Sequence, residues 1–78
     1  MSNKNFNMIM IIKVQALTTS IKNYFDVTYN EAMKELYKSK LYKLLEDEET
    51  KMWYYSNFDL FNMFLEEKET GNFTIYGG

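Results

Sequence analysis

The side chains with chemistry to offer in this chain are carboxylates and aromatic rings. They meet in one stretch, Leu45-Glu46-Asp47-Glu48-Glu49-Thr50-Lys51-Met52-Trp53-Tyr54-Tyr55-Ser56. Neighbouring carboxylates can hydrolyse a glycoside when a cleft holds one neutral and one charged, or they can collect Ca²⁺. Neither fits well. A chain of 78 residues offers little room for a cleft, and the spaced D-x-D-x-D-G loop with its distal Glu is missing. The sequence contains no His and no Cys. Histidine acid–base catalysis, a Cys nucleophile and a Ser–His–Asp triad are therefore impossible. Zinc, iron–sulfur and haem sites lose their usual ligands. No Gly-rich loop precedes a helix, so no phosphate cradle is expected. The expectation is a protein that is not an enzyme and takes no cofactor and no metal.

A contact surface is the other use for such a stretch. Trp and Tyr dominate interface hot spots, yet aromatic rings also enlarge a small core, each burying about 150–250 Å². Trp53 and Tyr55 suit a core plug first, with Tyr54 showing its edge to water; the second reading is that one or two of the three anchor a partner. Base stacking is disfavoured, because the neighbouring acids repel phosphate. Up to Leu45 seven lysines face three acids, giving +4; from Glu46 onward eight acids face two lysines, giving −6. Read as helix ends, Glu46 to Glu49 and Glu66, Glu67 and Glu69 oppose the helix macrodipole, at about 0.3–1 kcal/mol each. Solubility accounts for such acids; so does steering toward a basic partner. The candidate partner-binding residues are Glu46, Asp47, Glu48, Glu49, Trp53, Tyr54, Tyr55, Glu66, Glu67 and Glu69.

The elements that must position them are mainly helical. Phe6, Met10, Val14, Leu17, Ile21 and Tyr24 step by three and four, with Ile9, Ile12 and Ala16 widening the stripe, and predict a helix over 3–25. Thr28-Tyr29-Asn30-Glu31 is a capping box opening a second helix over 28–45. Ser39 either sits inside that helix or caps a new short one. Ser56 and Asp59 open a third helix over 57–70, with Phe58, Phe61, Phe64 and Leu65 as its buried stripe and Gly71 as its stop. The runs 51–55 and 72–76 alternate in the strand manner, and could pair or, for the latter, remain a loose tail. Without Pro, repeats or a linker, residues 1–78 read as one domain.

Glu31-Ala32, Leu36-Tyr37-x-Ser39-x-x-Tyr42-x-x-Leu45 and Asp47-x-Glu49-Thr50-x-x-Trp53-x-x-Ser56 resemble a family of short helical bacterial proteins of unassigned activity. Their genes tend to lie beside predicted ADP-ribosyltransferase-like toxins. The likeness spans roughly residues 10–70. It departs after the acids, where that family usually has Gly-Leu-Tyr or Gly-Leu-Trp and this chain has Lys51-Met52-Trp53. The resemblance implies a toxin-associated role and carries over no catalytic residue. An all-lysine basic set rich in Asn, Ile and Tyr also matches the coding habit of an AT-rich bacterium or its phage.

The sequence thus predicts a mainly α, small single-domain bundle of three principal helices, with room for a minor two-stranded element. Its expected role is a non-enzymatic protein-interaction module, antitoxin-like or an inhibitor subunit, binding a basic protein surface through an acidic and aromatic face. The alternatives are a phage-type nucleic-acid mimic and, more distantly, a nucleic-acid-binding helical domain. Direct DNA binding is disfavoured by a net charge of −2 and the lack of Arg. Met8 to Ile12 is too short for an export signal, which needs about 7–15 apolar residues, and no run reaches the ~20 of a membrane span, so a cytoplasmic protein is expected. A homo-oligomer is expected either through its oppositely charged halves or through the first helix.

Overall fold

The computed structural model describes residues 3–75. Helix α1 (Asn3–Phe25) packs against α2 (Tyr29–Lys38) and α4 (Asn57–Thr70), and the short α3 (Lys40–Leu45) bridges α2 to α4. Between α3 and α4 the chain winds through two single 3-10 turns, Glu48–Thr50 and Met52–Tyr54. The architecture is mainly α, and no strand forms among the described residues.

Local chemistry sets most boundaries. Asp26 ends α1 in the left-handed region at φ 56, which a short polar side chain tolerates. The Val27 N–H then returns to the Lys22 carbonyl at 3.1 Å, the long bond of a Schellman turn. Both arms of the capping box form: Thr28 Oγ1 accepts from the Glu31 N–H at 3.1 Å, and Glu31 Oε1 from the Thr28 N–H at 3.0 Å. Ser56 Oγ accepts from the Asp59 N–H at 3.1 Å to open α4, and Gly71 closes it at φ 87.

Ser39 decides the question the sequence left open. It is extended, at φ −75 and ψ 154, and its hydroxyl accepts from the Tyr42 N–H at 3.0 Å. The predicted helix 28–45 is therefore two helices joined at a buried serine. The break turns Leu41 and Leu45 into the same core as Ala32 and Leu36, together with Leu17, Ile21, Leu60, Met63 and Phe64.

The strand pair is corrected. Residues 52–54 form a 3-10 turn, and the Thr74 N–H donates to the Glu66 carboxylate at 3.0 Å rather than to a strand partner; Tyr76 lies outside the described residues. Of the stripe assigned to the third helix, Phe64 is buried and Phe61 and Leu65 pack against the core, so Phe58 alone is corrected. Leu60, Met63 and Phe64 face the core, while Phe58 is 73% exposed. Phe58 and Leu60 share the first turn of α4, and it is Leu60 that the packing of the helix turns inward.

Glu35 joins α2 to α4 by accepting from Lys68, and it also pairs with Lys38 at 3.2 Å. The Lys68 hydrogen bond, then that from Lys38, holds its carboxyl below the usual range. Such a group contributes stability above the unfolded carboxylate pKa and loses it as pH falls through the lower folded value. The pair is solvent-exposed enough that this contribution is small.

Lys51 occupies the left-handed region at φ 59, where a side chain is disfavoured by about 1–2 kcal/mol. Lys51→Gly is expected to stabilise the fold by about 0.5–1 kcal/mol, because the relief of strain exceeds the added unfolded-state entropy. Urea denaturation with an unchanged m-value checks it; a lower midpoint would contradict the strain argument.

Candidate partner-binding site

The acidic stretch is a tightly bonded corner. Leu45 is fully buried and fixes where the acids begin. Asp47 Oδ1 accepts from the Glu49 N–H at 3.0 Å and so caps the first 3-10 turn. The Thr50 hydroxyl donates toward the Leu44 and Asp47 carbonyls and accepts from the Met52 N–H at 3.2 Å. After the left-handed step at Lys51 the chain dives inward, burying Met52 and Trp53.

Trp53 joins the rings to the acids. Its indole Nε1–H donates to the Glu48 carbonyl at 2.9 Å, so the aromatic turn is fastened across Lys51 to the acidic one. Phe6 of α1 meets the indole edge-on at 5.5 Å and 75°. On its other side Tyr54 stacks at 4.4 Å and 22°, and is itself 69% exposed. The outer ring is thus held in place by the inner one. Tyr55 is half-buried, and its carbonyl accepts from Lys13 Nζ of α1. Burial there pulls the Lys13 pKa below the ordinary lysine value.

The candidate acids divide into two groups. Glu46, Asp47 and Glu49 are exposed and Glu48 partly so; Glu46 alone caps the C-terminal end of α3, while Asp47 to Glu49 belong to the 3-10 turn that follows. Glu67 serves the opposite end of α3: its oxygens accept from the Lys40 N–H at 2.8 Å and the Leu41 N–H at 3.1 Å. Lys40 Nζ reciprocates, donating to the Gly71 carbonyl at 2.8 Å and Asn72 Oδ1 at 3.1 Å. Each charge is poorly placed on its own helix and well placed on its neighbour's, since carboxylates favour N-termini and ammonium groups C-termini. Glu66 accepts from both the N–H and the hydroxyl of Thr74. Glu69 is exposed and borders a shallow depression with Tyr24, Phe25 and Leu65. The acids left toward solvent are therefore those of the Glu46–Glu49 turn, where Asp47 bonds only within the turn and Glu48 is half-buried, whereas Glu66 and Glu67 bond to distant segments.

Among the described residues no three carboxylates gather in a metal-binding group, and no helix is long and apolar enough to cross a membrane. Pattern reasoning missed Phe58 as a surface ring and read Tyr24 and Ile12 as core-facing, although both are largely exposed. Five consecutive apolar residues, Met8 to Ile12, were the available signal, because no helix can turn all five inward. Comparison with protein-family models, curated proteins and solved structures finds no match.

Proposed function

We propose that this chain is a non-enzymatic protein-interaction module, an antitoxin-like or inhibitor subunit that docks on a basic protein surface. The observation that carries this reading is the Trp53 link: one buried indole holds an exposed Tyr54 ring and, through the Glu48 carbonyl, an acidic turn. A ring fixed before binding loses little entropy on contact. Four acids against Lys51 supply a local charge of −3 for steering. The toxin-associated role rests on the sequence resemblance. Nucleic-acid mimicry is less well supported, since duplex DNA presents a charge about every 1.7 Å, while here Glu66 and Glu67 are bonded internally and the free acids gather in one turn.

The test is Glu48→Lys combined with Glu49→Lys, which reverses local charge from −3 to +1. Asp47 is spared because it caps the turn, and the Glu48 bond to Trp53 is made by backbone. The double variant should keep its helical signal and lie within about 0.5 kcal/mol of the parent in stability. Capture of a basic protein from a lysate should fall sharply and, for the parent, weaken as salt rises. Equal capture by both proteins would leave the acids with solubility as their only role.

A further inference from the structure

Met8-Ile9-Met10-Ile11-Ile12 occupy consecutive positions of α1 and so surround the helix. Ile9 and Met10 pack against the core. Met8, Ile11 and Ile12 point outward, at 63, 59 and 61% exposure. A helix that is apolar all round is ordinarily covered on every side. Gln15 and Thr19 continue this outer face toward the C-terminus. Between Asn5 and Ile21 the single charged residue is Lys13, and it is turned inward onto the Tyr55 carbonyl. The outer face of α1 is therefore free of charge for about 25 Å.

Beside this ridge runs a groove between α1 and α2. It is walled by Ile11, Val14, Tyr29, Met33, Tyr37 and Tyr42, with a volume of about 340 Å³. That is roughly twice the ~150 Å³ void that accommodates a benzene ring, enough for two aliphatic side chains. Ile11 belongs to both features, so ridge and groove are contiguous.

We infer that this face binds a second copy of the chain, α1 against α1 across a two-fold axis, with the Met8–Ile12 ridge of each copy seated in the groove of the other. Three observations select this occupant. An isologous contact requires one patch that is both knob and hole, and this face presents them side by side. Residues near a two-fold axis meet their own copies, and a face without charge meets itself without repulsion. The area also fits. Met8, Ile11, Ile12 and the partly exposed Tyr29 and Tyr37 expose about 500 Å² per copy, taking ~200 Å² for a large side chain. With Asn5, Gln15 and Thr19 around them this approaches the ~800 Å² per partner of a standard stable interface. Neither the Glu46–Glu49 turn nor Tyr54 lines the groove, so this surface is separate from the proposed partner site.

Sedimentation equilibrium of the full chain, from micromolar to near-millimolar concentration, is the test. The parent should approach twice its monomer mass, with an association that molar salt leaves undiminished, as apolar contact requires. Ile12→Lys should keep the helical circular dichroism and weaken association by roughly a hundredfold or more, since it places a charge in each half of the contact. Met8→Lys should act in the same direction, and Tyr54→Ala should remain as dimeric as the parent. A monomeric parent at the highest concentration would overturn the inference. So would a dimer that dissolves in salt, which is the mark of ionic pairing between the +4 and −6 halves, or an Ile12→Lys protein as dimeric as the parent.

Discussion

Trp53→Ala should lower folding stability by about 3–5 kcal/mol, the range for removing a large aromatic from a packed interior. The side chain is 8% exposed, meets Phe6 edge-on and carries Tyr54 on its face. Its loss opens a cavity between α1 and the 3-10 turns and removes the indole donor from the Glu48 carbonyl. A domain of this length has a total stability of about 4–12 kcal/mol at ordinary values per residue, so the variant should sit near the edge of folding. Urea denaturation followed by circular dichroism checks this, because the chain has no other tryptophan to report by fluorescence. Trp53→Phe separates the contributions: it keeps most of the packing and loses the donor, and should fall between the parent and the alanine variant. A change within about 0.5 kcal/mol for Trp53→Ala, typical of surface positions, would show that the indole is not part of the core.

Glu67→Ala should reduce stability by about 2 kcal/mol, given that hydrogen bonds to charged groups contribute about 1.5–3 kcal/mol each and lie partly in solvent here. Helix α3 has six residues, too few to persist without tertiary support. Its first three N–H groups have no partner within the helix. Glu67 takes those of Lys40 and Leu41, and Ser39 takes that of Tyr42. Removing the carboxylate leaves two donors unpaired, one of them on a fully buried leucine. Glu69→Ala, two residues on and exposed, is the control and should change stability by less than about 0.5 kcal/mol. Amide exchange at Lys40 and Leu41 should accelerate in the Glu67 variant specifically. Equal stabilities for the two variants would mean that the interhelical cap contributes nothing.

Much of the fold is dictated locally and was legible in the sequence. The bounds of α1 and α4, the capping box at Thr28–Glu31, the Ser56 cap and the Gly71 stop all depend on neighbours a few residues away. Side-chain period and cap chemistry suffice to find them. The absence of His and Cys likewise bounds the available chemistry without any coordinates. What the sequence could not decide required distant partners. Ser39 breaks its helix because doing so brings Leu41 and Leu45 into a core shared with α4, a preference that local propensity does not contain. Phe58 and Leu60 both suit a buried stripe by period; only the packing of α4 on its neighbours selects Leu60. The acids show the difference most clearly. Along the chain Glu67 and the Glu46–Glu49 run look alike, acids set against the macrodipoles of their own helices. In space Glu67 lies at the positive end of another helix and answers Lys40 across the bundle, while in the run Asp47 bonds only within its own turn and Glu46 and Glu49 stay exposed. Helix dipoles and unpaired N–H groups act through space within a few ångströms, so which acid is structural and which is free was settled by how α3 meets α4.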